Sequence, residues 1–406
     1  QSLSNLKHMA KSPLILAALA KDAVPHVDFK QVNSLSSGAG GAFDTALLTA
    51  LDDKHYIVRV ANTQAAGTEQ EVELRAFKAL GPAQRSSLPF AVSTVVGETK
   101  DLKGHRALIL EFVYGNPIDI ASVAPDSEFS MSIGKAIAAI HNLDLAVVAD
   151  AHLPEYDLAE VTRMRVAELD RMAATGKVPA VLLERWESTL EDSSVFRFTP
   201  TVIHGALSGD TVLGQDREVT GVLAWSGLKI SDPAEDFAWI AESGNFELLD
   251  SVIKTYNAHR KVADATLRQR ATLYKELEVG RWLLHGVSKS NQDIIDDAIG
   301  MLADLAEDVS TGALGRLTAA AMVAPAVAVI EYSEITAEVA NADVLEVVEI
   351  AEVADAYEIE ASIETSIEAS DEEFEVIDLS EPKPSEPIDD KTRPIELPEK
   401  TDNELF

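Results

Sequence analysis

Short runs of β-favouring apolar residues, several of them alternating with polar ones, dominate the first part of the chain and predict strands. The runs are residues 32–35, 43–51, 56–60, 89–92 and 107–113. Between the third and fourth runs, residues 68–80 change to helical spacing, with Val72, Phe77 and Leu80 on one apolar face. We therefore predict a small sheet with one helix.

Beyond residue 131 the apolar positions recur every three or four residues, which predicts α-helices. The predicted helices are residues 133–140, 158–172, 179–190, 246–256, 265–284 and 292–309. One β-rich interruption, residues 202–225, breaks this series. The order of elements predicts an α+β fold with a sheet-containing lobe and a larger helical lobe.

Two apolar runs bear on cellular location. Residues 11–20 combine a lysine, a short apolar stretch and an Ala-x-Ala ending, as a signal peptide does, but the stretch is short and Lys21 and Asp22 follow at once. We interpret it as a first helix. Residues 317–330 are interrupted by Pro325 and fall short of the roughly 20 residues that span a bilayer. The sequence favours a cytoplasmic protein.

Charge is distributed unevenly along the 406 residues, which carry a formal net charge of −34. Residues 325–406 contain 25 acidic and 4 basic side chains and so account for −21 of it. Glutamates interleave with Val, Ala and Ile in the first half of this segment, and prolines recur in the second. Because self-repulsion and proline oppose a packed core, we predict a disordered acidic tail.

Composition also excludes several classes of function. A surface this acidic repels phosphate backbones and anionic headgroups, so we expect neither nucleic acid nor a membrane as partner. The chain has no cysteine. Disulfides, thiolate metal sites and cysteine nucleophiles are therefore excluded.

The β-rich interruption contains the chemical signals. Residues 201–213 read TVIHGALSGDTVL, residues 219–225 read VTGVLAW, and residues 231–238 read SDPAEDFA. These segments resemble the aminoglycoside and macrolide phosphotransferase family, a branch of the protein-kinase-like fold, whose pattern is His-Gly-Asp-Leu-x-x-x-Asn, Val-Ile-Asp-Trp and Asp-Pro-Ala-x-Asp-Leu-Ala. The resemblance implies a nucleotide-side lobe at residues 1–114, an acceptor-side helical lobe at 115–324, and the tail beyond.

Three chemical positions of that pattern are substituted. The family's catalytic aspartate, metal-binding asparagine and metal-binding aspartate align with Ala206, Thr211 and Ala224. Phosphoryl transfer needs a group that orients the acceptor hydroxyl and oxygen ligands that hold Mg²⁺ on the phosphates. A methyl group provides neither. The resemblance implies ATP as the cofactor, whereas the substitutions argue against Mg²⁺.

The remaining family positions occur in the expected order. By resemblance, the nucleotide-side residues are Gly38, Gly40, Gly41, Arg59, Glu73, Glu111 and Val113. Within this set the arginine and the helix glutamate would pair, and the last two would lie where backbone groups bind adenine. The residues with an implied structural role are His204, Gly205, Asp232 and Asp236. Taken singly, a glycine-rich hairpin or a surface ion pair needs no nucleotide.

Other polar residues could serve as substitutes or line the acceptor site. Asp210, one position before Thr211, would supply a metal ligand after a shift of register, and Glu235 is a second candidate. A further set falls on a helix that borders the acceptor site in relatives: Glu276, Arg281 and His285. The simpler interpretation of this set is the polar face of an amphipathic helix.

The sequence leaves three functions open. In the first, the protein is a pseudokinase that binds a nucleotide or a small hydroxylated molecule with impaired phosphoryl transfer. In the second, it is an active ATP-dependent phosphotransferase that uses substitute ligands. In the third, the folded body is a stable support and the acidic tail recruits a basic protein partner.

Overall fold

The structure is a computed structural model that describes residues 11–35 and 41–318. The chain divides into two units, Gln1–Val327 and Ala328–Phe406, and the described residues belong to the first. The predicted acidic tail and two of the candidate glycines, Gly38 and Gly40, lie outside the described residues.

An antiparallel sheet forms the amino-terminal lobe, with strand order β1-β2-β3-β5-β4. Its strands are β1 (Phe29–Leu35), β2 (Phe43–Ala50), β3 (His55–Ala61), β4 (Val95–Lys100) and β5 (Arg106–Glu111). The central strand β3 places Arg59 opposite Thr45 of β2 and Leu108 of β5. Arg59 therefore lies on an inner strand with a neighbouring strand on each side.

Two helices pack with this sheet: the first helix expected at residues 11–20 and the helix predicted at residues 68–80. Helix α1 (Pro13–Ala23), capped by Ser12, buries Leu16 and Ala20 against the sheet. Helix α2 (Gln64–Ala79) begins four residues before the predicted start because Thr63 accepts a hydrogen bond from the Ala66 amide as its N-cap. A short helix, α3 (Pro82–Ser87), follows.

The predicted strand at residues 89–92 is wrong. Ala91 makes only an isolated bridge, to Gly221 of the second lobe. The fourth strand is β4 instead, which contains Gly97 and has no fully buried residue. A β-carbon at Gly97 would lie 2.7 Å from Val24, so glycine is what allows the end of α1 to approach the strand.

The second lobe is mainly helical, as predicted. Its helices are α4 (Glu128–His141), α5 (Ala146–Ala149), α6 (Leu158–Ala174), α7 (Ala180–Glu191), α8 (Ala238–Ala241), α9 (Phe246–His259), α10 (Leu267–Lys289) and α11 (Gln292–Thr311). Local signals define several ends: a capping box of Asp157 and Glu160 starts α6, and left-handed Gly312 ends α11.

Short strands accompany these helices, and three of them lie in the predicted interruption at residues 202–225 or begin one residue before it. The strands β6 (Asn116–Pro117), β8 (Val212–Gln215) and β9 (Glu218–Val222) form one small sheet, and β7 (Thr201–Ile203) pairs with β10 (Lys229–Ser231). One apolar core runs from Phe237 and Trp225 in this lobe to Phe77 of α2 in the other. The two lobes therefore meet through packed side chains around Trp225.

No helix within residues 11–35 and 41–318 is long and apolar enough to cross a membrane.

Candidate functional site

Arg59 and Glu73 form an ion pair between the sheet and α2. The Nη1 atom of Arg59 lies 2.9 Å from Oε2 of Glu73, whose side chain is only 3% exposed. The guanidinium also stacks on the Phe43 ring, 3.8 Å from its centroid, and lies 3.9 Å from the Glu69 carboxylate. Burial raises the pKa of Glu73, and the nearby Arg59 charge opposes that rise. The arginine is thus fixed in direction and remains partly exposed.

Glu73 also connects α2 to the segment that contains Ala224. The backbone of Trp225 lies close to this carboxylate and acts to lower its pKa. Helix α2 packs against the short 3₁₀ turn Trp225–Gly227. Glu73 therefore lies between the arginine and the turn that follows Ala224.

The segment that joins the lobes follows β5. Val113 is buried and packs on Gly221, where a β-carbon would lie 2.2 Å from Cγ1 of the valine. The Tyr114 carbonyl accepts from the Thr220 hydroxyl at 2.9 Å, and the Tyr114 hydroxyl lies 2.9 Å from Nδ1 of His55. Within the described residues, the Val113 amide has no hydrogen-bond partner. Glu111 is exposed at the start of this segment.

Residues 204–211, which we call the substituted loop, are held by a buried carboxylate. Asp236 accepts hydrogen bonds from the His204 amide at 2.8 Å and the Gly205 amide at 2.7 Å. Its Oδ2 atom also lies 3.0 Å from Nε2 of His141. Burial alone would raise the pKa of Asp236, but the hydrogen bonds from His141 and from the Gly205 amide lower it below its usual value. A charged Asp236 therefore fixes the start of the loop.

His204 is a structural part of the loop. Its Nε2 atom lies 2.9 Å from the Leu223 carbonyl, and its Nδ1 atom accepts from the Ala206 amide at 3.3 Å. Burial lowers the pKa of His204, so the imidazole is neutral with its proton on Nε2. Since both ring nitrogens bind the backbone, neither is available to accept a proton from a substrate.

Asp232 connects the same region to α10. Its carboxylate accepts from Nε of Arg270 at 2.8 Å, from the Tyr274 hydroxyl at 2.7 Å and from the Ala234 amide at 2.9 Å. Arg270 is fully buried, and the adjacent carboxylates raise its pKa despite burial. The carboxylates of Asp232 and Asp236 are thus both occupied by structural hydrogen bonds.

The three substituted positions differ in their surroundings. Ala206 is exposed. The Thr211 hydroxyl accepts from the Ser208 amide at 2.8 Å and lies 3.2 Å from the Ala206 carbonyl, so it binds within its own loop. Ala224 has φ 61° and ψ 57°, a left-handed conformation in which Asp and Asn are enriched and alanine is disfavoured. The backbone at Ala224 thus suits an aspartate, although its side chain has no oxygen.

The candidate substitutes differ in availability. Glu235 is engaged, because it accepts from Lys229 at 2.7 Å and from Ser231 at 2.6 Å and lies 3.2 Å from Arg165. Burial opposes ionisation of Glu235, but the charges of Lys229 and Arg165 lower its pKa overall. Asp210 is exposed and makes no hydrogen bond within the described residues.

Among residues 11–35 and 41–318, no group of three or more His, Asp or Glu side chains is arranged to hold a metal ion. A divalent magnesium ion prefers several oxygen ligands in octahedral geometry. Ala206 and Ala224 supply no side-chain oxygen, and Thr211 uses its hydroxyl inside the loop. The residues present therefore do not fit Mg²⁺.

The interpretation of the acceptor-side helix as a simple polar face is wrong for Glu276. This residue is fully buried and accepts from Nε1 of Trp186 at 2.9 Å and from Arg185 at 3.0 Å. Arg281 binds the Glu168 carboxylate at 2.6 Å. His285 is exposed and stacks on Trp282. The periodicity of α10 did not distinguish the buried carboxylate from the exposed polar side chains.

Sequence reasoning also missed Phe43, Tyr256 and Arg270. Phe43 lies under the Arg59 guanidinium, and the Tyr256 hydroxyl lies 2.9 Å from Nδ1 of His141. For Phe43 a signal existed, because it opens the strand that pairs with β3. Tyr256 lies 115 residues from His141 along the chain and Arg270 lies 38 residues from Asp232, and no local pattern indicates these two contacts.

Known proteins match the chain in sequence. A sequence model of the phosphotransferase enzyme family matches residues 35–273. Uncharacterized protein YcbJ of Bacillus subtilis is 25% identical over 114 residues, which are 28% of this chain and 37% of that protein. Viomycin phosphotransferase of Streptomyces vinaceus is 27% identical over 215 residues, which are 49% of this chain and 71% of that protein. The chain thus spans little more than a third of the Bacillus relative.

Solved structures match the fold. Macrolide 2'-phosphotransferase MphH from Brachybacterium faecium has a TM-score of 0.61 at 20% identity, covering 72% of this chain and 98% of that chain. The GDP complex of aminoglycoside 2'-phosphotransferase-IIIa has a TM-score of 0.60 at 18% identity, covering 74% of this chain and 100% of that chain. The predicted two-lobed, protein-kinase-like fold is confirmed by this similarity.

Proposed function

This chain belongs to the phosphotransferase enzyme family, and we propose that its two lobes form a nucleotide-binding pseudokinase with impaired phosphoryl transfer. One observation carries the proposal. Asp236 holds the substituted loop in place through two backbone amides, yet the chemical positions of that loop and of the adjacent strand end are Ala206, Thr211 and Ala224. The support for the chemistry is retained, and the groups that would perform it are replaced.

The nucleotide side of the site supports binding. The Val113 amide has no partner within the described residues and would donate to a purine ring. Arg59 is 20% exposed and is oriented by Glu73 and Phe43, so its guanidinium would receive a phosphate without rearranging. A related aminoglycoside phosphotransferase was solved with GDP, and another with ADP. A purine nucleotide is therefore the ligand that we propose.

The transfer step lacks its usual groups. A positioned general base contributes about 10²–10⁴-fold to a rate, and the methyl group of Ala206 cannot accept a proton. Metal ions neutralise the charge that develops on the phosphates. Ala224 has no side-chain oxygen and the Thr211 hydroxyl binds within its own loop, so that contribution is lost as well. We expect nucleotide binding to be insensitive to Mg²⁺ and transfer to be near background.

Nucleotide binding is tested by thermal shift of the full chain with ATP, ADP and GTP, each with and without Mg²⁺. A ligand at 100 times its Kd stabilises the folded state by about 2.7 kcal/mol. We expect a rise in Tm that does not depend on Mg²⁺ and that Arg59→Gln reduces. The absence of a shift at millimolar nucleotide would overturn the proposal.

A second candidate function is active phosphoryl transfer that uses Asp210. The exposed and unpartnered carboxylate of Asp210, next to Thr211, favours this candidate. The test is nucleotide turnover against a panel of hydroxylated acceptors that includes a macrolide and an aminoglycoside, with Mg²⁺ or Mn²⁺. Turnover well above background that disappears in Asp210→Asn would establish this candidate and refute the pseudokinase.

A further inference from the structure

A cavity of about 610 Å³ lies in the helical lobe, away from the residues discussed above as nucleotide ligands. It is bounded by the end of α4, by the segment 194–201 and by the segment 260–266. Neither Arg59 nor the three substituted positions line it. We call it the basic cavity. Its volume lies within the range of about 300–1,000 Å³ that is typical of small-molecule sites.

Three positive charges line the basic cavity without a carboxylate partner in the described residues. They belong to Arg197, Arg260 and Lys261, none of which forms an ion pair there. Asp264 is the acidic residue of the lining, and its Oδ2 atom forms an ion pair with Nη2 of Arg270 at 2.5 Å. Residues 1–324 contain 43 acidic against 30 basic side chains, whereas the lining of this cavity contains three basic side chains and one acidic one.

Arg260 is positioned before any ligand arrives. It donates to the His141 carbonyl and to Oδ1 of Asn142, the latter at 2.7 Å, and its guanidinium lies over the Tyr256 ring. Its Nη2 atom lies 3.5 Å from the Thr201 hydroxyl, the outer limit of a hydrogen bond. This nitrogen keeps donor capacity for an anion, and the fixed guanidinium loses little entropy on binding one.

Apolar side chains complete the lining. Leu143, Phe198 and Val262 contribute to the wall, and Val262 is 65% exposed. The cavity is far larger than a bare phosphate or carboxylate group needs. An organic molecule with a ring or short apolar portion would cover this wall while its anionic group meets the basic side chains.

We propose that the basic cavity is a second binding site, for a small organic anion that carries a phosphate or carboxylate group. This inference is independent of the nucleotide proposal, because the two sites share no lining residue. The anionic oxygens bind Arg260, Arg197 and Lys261, and the organic portion packs near Phe198.

Isothermal titration of the full chain at low salt tests this site with three probes: phenyl phosphate, benzoate and the neutral benzyl alcohol. We expect at least one anion to bind and the alcohol not to bind. The variant R197Q/K261Q removes two exposed charges and should weaken anion binding tenfold or more. The control R217Q/K254Q removes two exposed charges outside the cavity and should leave the affinity unchanged. Arg260 is kept because its bond to the His141 carbonyl supports the fold.

Tighter binding of phenyl phosphate than of benzoate would identify the ligand class of the basic cavity as phosphate esters. Tighter binding of benzoate would identify it as carboxylates. The site is refuted if neither anion binds at millimolar concentration, or if the two double variants have equal affinity. Loss of binding in Arg59→Gln, with no loss in R197Q/K261Q, would place the anion on the nucleotide side and also overturn the proposal.

Discussion

Restoring the three substituted positions is the most direct perturbation of this protein. The variant Ala206→Asp, Thr211→Asn, Ala224→Asp supplies the missing carboxylates and amide on a backbone that is already in place. Ala206 is exposed, so a carboxylate there meets solvent. Ala224 has φ 61°, a conformation that costs alanine about 1–2 kcal/mol and that aspartate adopts more readily. We therefore expect the variant to fold with no loss of stability from position 224.

The expected gain in rate is large. Restoring the general base alone is worth about 10²–10⁴-fold, or about 2.7–5.4 kcal/mol of barrier at about 1.36 kcal/mol per tenfold. The restored metal ligands add charge neutralisation on the phosphates. Because such groups act as a unit, each single substitution should recover little by itself.

The assay measures Mg²⁺-dependent ADP or GDP release with hydroxylated acceptors, and Mn²⁺ binding by electron paramagnetic resonance. We expect the original chain to remain near background and the triple variant to bind Mn²⁺ together with nucleotide. The matched control is Ala149→Asp, on α5 outside the substituted loop. Two results would refute the reasoning: comparable turnover by the original chain, or a folded triple variant that binds nucleotide but no Mn²⁺.

Three further predictions concern buried groups and the nucleotide side. Glu276→Gln should lower the free energy of unfolding by about 3–5 kcal/mol in urea denaturation, because it breaks a buried ion pair. Burial lowers the pKa of both His141 and His204, so the folded state keeps them neutral while the unfolded state protonates them below about pH 6.5. Stability should therefore fall as the pH decreases below 6.5, with a slope of at most about 2.7 kcal/mol per pH unit from these two imidazoles, measured by urea denaturation between pH 5 and 7. Arg59→Lys should weaken nucleotide binding in titration calorimetry less than Arg59→Gln, since the positive charge is kept.

Each of these outcomes has a control. The control Glu278→Gln, at an exposed position, should change the free energy of unfolding by less than about 0.5 kcal/mol. If Glu276→Gln changed it by no more than this control, the structural role of Glu276 would be contradicted. The pH slope should decrease in His204→Gln, and an unchanged slope would show that this imidazole does not titrate on unfolding. Equal affinities of the two Arg59 variants would mean that the charge of this residue does not contact phosphate.

Local sequence patterns were sufficient for most elements. The predicted helices of the second lobe agree with the structure because each contains a complete apolar face, and residues such as Asn245 and Asn291 cap their starts. The strand at 89–92 was predicted wrongly because its apolar residues pack between the lobes and its backbone pairs only at Ala91. Strand β4 has little buried side-chain surface, and so it gave no clear periodicity.

For the candidate site, too, some features follow from the sequence and others only from the tertiary structure. The order of motifs and the replacements at Ala206, Thr211 and Ala224 can be read from the sequence, because a methyl group at positions 206 and 224 can neither accept a proton nor bind a cation in any fold. Only the tertiary structure decided that Asp236 binds His141, 95 residues away, and that Glu276 is buried against Arg185. It also decided that Arg197 and Arg260 line one cavity. Hydrogen bonds and charges between distant residues depend on the packing of whole helices, which no local pattern encodes.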